Sequence, residues 1–175
     1  MITLEQIRKH PQISEFINQT EVALAAQSYT DHGLRHSSLV ADRARTIAKE
    51  IRLSQRDGEL ASIAGFCHDM ANFLSRTYHN YLASVLFHQV FCNDFEPKEI
   101  VKIMQAISNH DRDEMVFASP VSAVVVLADK SDVHRSRVIA KDLNEIKTDI
   151  HDRVNYATTF SKVRINKKKK NISLV

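Results

Sequence analysis

Glycine and proline are so scarce in this chain that long helices joined by short connections are the expected structure. The 175 residues include three glycines and three prolines, the two residue types that most often interrupt regular structure. Apolar residues recur at i, i+3 and i+4 spacing, as in the stripe Val40, Ala44, Ile47, Ala48 and Ile51, which is typical of helices with one buried face. The sequence therefore predicts an all-α helical bundle.

Local signals mark where several of these helices begin. Starts are predicted at Thr3 (with Gln6 closing a capping box), Pro11, Ser54, Pro97 and the pair Ser119-Pro120. The run 121–128 is apolar on every side, so periodicity alone fits either a buried strand or a buried helix. The Ser-Pro start and the neighbouring helices favour a buried central helix.

The pattern changes near the C-terminus. Residues 161–165 and 171–175 are short β-like runs on either side of a turn that contains four consecutive lysines, Lys167 to Lys170, and this arrangement predicts a β-hairpin. The lysines either bind acidic groups or simply keep a strand edge solvated. We therefore predict a helical domain over residues 1–158 and a C-terminal β-hairpin extension over 159–175.

Composition narrows the classes of function. A net charge of +3 gives no indication of nucleic-acid binding, and no apolar run approaches the ~20 residues of a membrane-spanning helix. Cys67 and Cys92 form no disulfide framework and no thiolate metal site. We expect a cytoplasmic protein without a membrane partner, and homo-oligomerisation is left open.

The most informative dipeptide is His68-Asp69, at the end of a predicted helix. Adjacent helical residues project about 100° apart, so these two side chains can grip one cation while the second carboxylate oxygen reaches another ion. Small residues one and two turns back, including Ala61, Ala64 and Gly65, leave room for ligands from other helices. The structural alternative is a buried histidine bonded to a neighbouring carboxylate.

Further candidate ligands lie at helix ends or on inward faces: His36, His79, His110 and Asp129. Asp129 follows the apolar run, so its carboxylate needs a metal ion or Lys130 as a compensating cation. His79 could also be a solvent-facing residue at a helix start. Asp31 is predicted to cap the helix that carries His36, which would place His32 in the first turn as an i, i+4 partner of His36.

This ordered set resembles the HD superfamily of metal-dependent phosphohydrolases, whose signature is a histidine, a His-Asp doublet and a late aspartate. The matching residues are His36 in Arg35-His36-Ser37-Ser38-Leu39-Val40, the doublet His68-Asp69, and Asp129 in Leu127-Ala128-Asp129-Lys130. The resemblance covers about residues 29–137, and the segments 129–137 and 151–157 resemble a group of small bacterial HD proteins.

The resemblance implies an HD-domain fold and a metal site. It implies that one divalent ion is held by His36, His68, Asp69 and Asp129. His79 and His110 match positions at which two-metal branches, such as the HD-GYP phosphodiesterases, carry additional histidines, so Asp69 is implied to bridge two ions.

The residue types and the resemblance also suggest how phosphate is handled. Imidazole and carboxylate ligands suit iron, manganese, magnesium or zinc. Asp69 and Lys130 are the expected catalytic residues, and Lys130, Arg135 and Arg137 are the expected phosphate binders, although the two arginines equally fit surface charges.

The chain departs from the HD-GYP pattern after the doublet. HD-GYP proteins read His-Asp-Ile-Gly-Lys, whereas this chain reads His-Asp-Met-Ala followed by Asn72, and it lacks the Gly-Tyr-Pro motif. Hydrolysis of a nucleotide or another small phosphoester is therefore the leading hypothesis, ahead of cyclic-dinucleotide hydrolysis. The alternatives are a nucleotide sensor without turnover, an oxygen-dependent di-iron enzyme, and a protein whose histidines are structural and whose basic hairpin binds a partner.

Overall fold

A computed structural model of the protein describes residues 1–112, 116–140 and 142–175. The helices are α1 (Leu4–Arg8), α2 (Pro11–Ala26), α3 (Leu34–Glu50), α4 (Gln55–Cys67), α5 (His79–Phe91), α6 (Pro97–Asn109), α7 (Pro120–Lys130), a 3₁₀ turn (Arg135–Arg137), α8 (Leu143–Thr148) and α9 (Ile150–Ala157). Two strands follow, β1 (Val163–Asn166) and β2 (Asn171–Leu174). The predicted helical bundle with a C-terminal hairpin is confirmed.

The helix starts follow their capping residues. The Thr3 hydroxyl accepts from the backbone N–H of Gln6, whose side chain accepts from the Thr3 N–H in return. Ser54 caps α4, and Ser119 caps α7 with Pro120 as its first residue. These bonds satisfy N–H groups that a helix leaves without internal partners.

The predicted start of α3 is wrong. Gly33 is the N-cap and the helix begins at Leu34, so His32 lies before the helix and is not an i, i+4 helical partner of His36. Asp31 instead accepts from the backbone N–H of Gly33 and forms an ion pair with Arg35. An aspartate two residues before a glycine N-cap forms a local turn of this kind as readily as it caps a helix.

The centre of the core is formed by α4 and α7, which pack against each other and against both α3 and α6. Buried residues of α1, α2 and α5 extend this core. The approach of α3 to α4 is close at Gly65, where an added Cβ would lie 3.2 Å from Val40 Cγ1 and 3.3 Å from the Val40 carbonyl oxygen. The predicted central helix α7 is confirmed, since its residues Val121, Val124, Val125 and Ala128 are all buried. The small residues of α4 thus bring the end of that helix beside the start of α3.

Two features complete the C-terminal region. Helix α8 and the 3₁₀ turn lie where no element was predicted. The hairpin is antiparallel with Val163 opposite Leu174 and a turn at Lys167–Lys170, and Val163 and Ile165 pack against the helical core. The domain boundary at residue 158 stays a prediction. Among the described residues, no helix is long and apolar enough to cross a membrane.

Candidate metal centre

The helix ends bring the predicted ligand residues together at one point. His36 lies in the first turn of α3, His79 is the first residue of α5, and Asp129 lies in the last turn of α7. The other three directly follow helices: His68 and Asp69 after α4, and His110 after α6. All six residues are at most 6% exposed, so their side chains are almost entirely buried.

The first ligand set consists of His36, His68, Asp69 and Asp129. His36 Nε2 lies 3.2 Å from His68 Nε2 and 3.3 Å from Asp129 Oδ1. His68 Nε2 lies 3.1 Å from Asp69 Oδ2 and 3.5 Å from Asp129 Oδ1. Two imidazole nitrogens and two carboxylate oxygens therefore surround one point, as the ligands of a divalent cation do.

The second ligand set uses the other oxygen of the same aspartate. His79 Nε2 lies 3.1 Å from Asp69 Oδ1, and His110 Nε2 lies 3.4 Å from that oxygen. The two imidazole nitrogens are 3.0 Å apart. Asp69 Oδ2 faces the first set and Oδ1 the second, so this carboxylate joins the two groups.

Hydrogen bonds at the far side of each ring determine which nitrogen is free. His68 Nδ1 lies 2.8 Å from the Gly65 carbonyl oxygen, and His79 and His110 Nδ1 each lie 2.7 Å from a carbonyl oxygen three residues earlier. His36 Nδ1 lies 2.7 Å from Asp132 Oδ2. These acceptors hold the proton on Nδ1, which leaves each Nε2 lone pair directed into the cluster.

This arrangement fits bound cations better than a purely structural network. The unprotonated Nε2 atoms of His79 and His110, 3.0 Å apart, repel each other unless positive charge lies between them. Buried carboxylates also need compensating charge. The residues present therefore fit divalent metal ions at both sets.

The electrostatics keep the ligand carboxylates ionised. Burial would raise the pKa of Asp69, but the charge of His68 and hydrogen bonds from neighbouring imidazoles hold it well below its usual value. Burial likewise opposes ionisation of Asp129, and hydrogen bonds with His36 and His68 together with the charge of Lys130 hold its pKa low.

The same carboxylates attract a proton when no metal is bound. Burial would lower the pKa of the His68 imidazole, but the charge of Asp69 and the hydrogen bond to Asp129 outweigh it and raise the pKa to about 10. A metal ion must displace such a proton, because only the neutral imidazole is a ligand.

A cavity of about 570 Å³ opens onto this cluster. Asp69, His79, His110 and Asp129 form part of its wall, and three cationic side chains join them: Arg76, Lys130 and Arg137. A larger groove of about 1110 Å³ between α3 and the hairpin contains none of the clustered ligand residues, so the smaller cavity is the candidate site.

The three predicted phosphate-binding residues lie in different environments. Lys130 Nζ is 3.1 Å from Asp129 Oδ2 and 3.1 Å from Asp111 Oδ1, at the rim of the cluster. Arg137 lines the cavity, but its guanidinium donates to the Asp132 carbonyl oxygen and to His32 Nε2. Burial lowers the pKa of His32 to about 3, so its ring is a neutral acceptor there.

Arg135 lies elsewhere. Its guanidinium donates to the Tyr156 carbonyl oxygen at 3.1 Å and lies 5.3 Å from the centre of the Tyr156 aromatic ring. Arg135 does not line the cavity. The structure therefore brings Lys130 and Arg137 to the candidate site and leaves Arg135 outside it.

Several residues of the site were not predicted. Asp111 Oδ2 lies 3.8 Å from His79 Nε2, Arg76 lines the cavity and bonds Asn72 Oδ1 at 3.0 Å, and Asp132 is the acceptor for His36. The position of Asp111 directly after His110 was an available signal. The roles of Arg76 and Asp132 depend on contacts between separate segments, and nothing local in the sequence marks them.

Comparisons with known proteins point to one family. The sequence model of the HD domain matches residues 33–154, more than half of the chain. A crystal structure at 1.45 Å resolution, described as a predicted HD superfamily hydrolase from an uncultured Thermotogales bacterium, has a TM-score of 0.54 and 18% identity to this chain, with 90% of each chain covered. At that identity the similarity establishes the fold alone. The search of curated proteins found no match.

Proposed function

This chain belongs to the HD domain family, and on that premise we propose that it is a metal-dependent phosphohydrolase that acts on a small phosphoester such as a nucleotide. The observation that carries the proposal is the position of Asp69. Its two oxygens lie 3.1 Å from His68 Nε2 in one ligand set and 3.1 Å from His79 Nε2 in the other. A shared carboxylate of this kind supports a binuclear site over a single ion.

The donor atoms limit which ions fit. The ligands are imidazole nitrogens and carboxylate oxygens, which suit iron, manganese, magnesium or zinc. Cys67 is buried in the hydrophobic core and Cys92 is exposed, and neither belongs to the cluster. Ions bound there would activate a water molecule and neutralise charge on the phosphoryl oxygens.

Protein side chains supply the remaining functions. The Lys130 ammonium stays charged, because the charges of Asp129 and Asp111 outweigh burial and raise its pKa. It can contact a phosphoryl oxygen beside the first ligand set. Arg76 is positioned near the second set by its bond to Asn72. We assign phosphate binding to Lys130 and Arg76. Arg137 is assigned a structural role, because its guanidinium is bonded to Asp132 and His32 in the cavity wall.

The structure around Asn72 favours a small phosphoester over a cyclic dinucleotide. HD-GYP proteins carry lysine at the position of Asn72. Here the Asn72 amide donates to the carbonyl oxygen of Asp69 at 2.9 Å and to Asp69 Oδ1 at 3.0 Å. A side chain that orients a ligand carboxylate in this way is not free to bind substrate phosphate.

The test combines metal analysis with a substrate panel. Protein purified without added metal is analysed for bound elements and assayed against phosphomonoesters, nucleotides and cyclic dinucleotides, before and after chelation. We expect metal-dependent phosphate release that is lost in Asp69→Asn and retained in the matched control Asp94→Asn, which changes an exposed carboxylate.

Two results would contradict the proposal. One is phosphate release that survives both chelation and Asp69→Asn. The other is a metal-loaded protein that binds nucleotides without hydrolysing any member of the panel, which would identify a sensor instead.

A further inference from the structure

One wall of the cavity carries a carboxylate that the metal centre does not use. Helix α9 packs against the 3₁₀ turn and contributes Asp152 and Asn155 to the cavity lining. Asn155 is bonded within the fold through both its oxygen and its nitrogen, since it accepts from the His134 backbone N–H at 3.1 Å and donates to the His151 carbonyl oxygen at 2.9 Å. Asp152 is different.

The carboxyl group of Asp152 is buried, and one of its oxygens has no partner in the parts of the chain that the structure describes. Asp152 is 4% exposed, and its Oδ1 has no hydrogen-bond partner among the described residues. Burial and the nearby charge of Asp149 raise the pKa of its carboxyl group. A buried acceptor left unsatisfied destabilises the folded protein, so an orphan at the wall of a cavity points to a group that arrives with a ligand.

A second unused acceptor lines the same cavity. Asp132 Oδ2 accepts from His36 and Arg35, whereas its Oδ1 is buried with no partner in the described parts of the chain. The cavity therefore presents orphan carboxylate oxygens in addition to the cations Arg76 and Lys130. Cations suit the phosphate of a ligand, and orphan acceptors suit hydrogen-bond donors.

We infer that Asp152 determines specificity by accepting hydrogen bonds from hydroxyl or amino groups on the organic part of the phosphoester. This inference rests on the proposed function and deepens it. A phosphate group does not fit beside Asp152, because the carboxylates of Asp149 and Asp152 repel it. The phosphate belongs with Lys130 and Arg76 near the ligand sets, and the donor-bearing part of the molecule contacts α9.

Binding measurements test this without turnover. Metal-loaded protein is titrated calorimetrically with three phosphonates, in each of which a methylene group replaces the ester oxygen of a nucleotide. They are the analogues of the 5′-monophosphates of adenosine, 2′,3′-dideoxyadenosine and inosine. The dideoxy analogue lacks the ribose hydroxyls and the inosine analogue lacks the exocyclic amine. Because a hydrogen bond to a charged acceptor is strong, we expect wild type to favour the adenosine analogue over at least one of the others by about 10- to 100-fold.

The variants are Asp152→Asn and Asp152→Ala, with Asp94→Asn as the exposed control. The preference should fall towards equality in both Asp152 variants and persist in the control. The analogue that wild type binds more weakly than the adenosine analogue identifies the hydrogen-bond donor as a hydroxyl or an amine. Equal binding of all three analogues by wild type, or an unchanged preference in the Asp152 variants, would overturn the inference.

Stability gives an independent readout. Asp152 lies in the first turn of α9, where the helix dipole favours its negative charge, whereas the burial of its unpaired oxygen disfavours that charge. Because the two effects oppose each other, Asp152→Asn should change the melting temperature little. A marked decrease would show that Asp152 is structural. If binding discriminates as expected but no phosphoester is hydrolysed, the proposed activity fails while the assignment of Asp152 stands.

Discussion

Replacement of Asp132 by asparagine should weaken metal binding at the first ligand set alone. Asp132 is 1% exposed, and its Oδ2 accepts from His36 Nδ1 at 2.7 Å and from Arg35 at 2.9 Å. Burial would raise the pKa of this carboxyl group, but the hydrogen bond and charge of His36 hold it well below its usual value. An ionised acceptor on Nδ1 makes Nε2 a stronger ligand.

The expected magnitude follows from what asparagine retains. The amide oxygen can still accept one hydrogen bond from His36, so the ring keeps its orientation, but the negative charge is lost. Changing such a supporting group weakens metal affinity by about 10- to 100-fold, which corresponds to about 1.4–2.7 kcal/mol. The second set contains no ligand that Asp132 contacts, so its affinity should be unchanged.

Cobalt(II) substitution with chelator competition measures the two affinities separately. The control is Asp42→Asn on α3, the helix that carries His36. Asp42 is an exposed carboxylate that pairs with Arg8 at 2.8 Å, and its replacement should behave as wild type, because exposed pairs contribute about 1 kcal/mol or less. Wild-type affinity at the first set in Asp132→Asn, or equal weakening of both sets, would refute the argument.

Three further predictions concern the second ligand set, the helix contact and pH. His79→Ala should lower metal content by one ion per chain in elemental analysis, whereas His88→Ala, an exposed histidine on the same helix, should not; equal metal content in the two variants would contradict the assignment. Gly65→Ala should destabilise the protein by about 1–3 kcal/mol in thermal or denaturant unfolding, because the new Cβ meets Val40 at 3.2 Å. Gly58→Ala, with 3.6 Å of clearance, should instead be neutral or stabilise by up to about 1 kcal/mol, and the reverse order would be inconsistent with the described packing. Because the pKa of His68 is raised to about 10 in the metal-free protein, metal binding at pH 7 should release a proton and weaken as pH falls. In calorimetry, a binding enthalpy that does not depend on the ionisation enthalpy of the buffer would contradict this proton release.

The candidate ligand residues could be predicted from the sequence because local signals mark the helix ends at which they lie. His36, His68, His79, His110 and Asp129 each lie at or near the end of a helix, and capping residues and apolar periodicity mark helix ends. The His-Asp doublet could be recognised because adjacent residues need no tertiary contact to act together.

The start of α3 shows where local signals fail. Asp31 fits an N-cap by sequence alone, but its carboxylate pairs with Arg35 and its backbone N–H donates to the Arg137 carbonyl oxygen at 2.7 Å. That backbone bond joins residues 106 positions apart along the chain. No pattern near residue 31 encodes it.

By itself the sequence determined the helical class, the hairpin and the identity of the candidate ligands, since these depend on neighbouring residues. The sequence predicted that Asp69 joins two ligand sets, but only the tertiary structure gave the distances of that arrangement. Only the tertiary structure decided that Asp132 supports His36 and that Asp152 Oδ1 has no partner among the described residues at the cavity wall. Those three features depend on distances between segments separated by tens of residues, such as the 96 positions between His36 and Asp132. Such distances are set by how the helices pack, and helix packing is a property of the whole core.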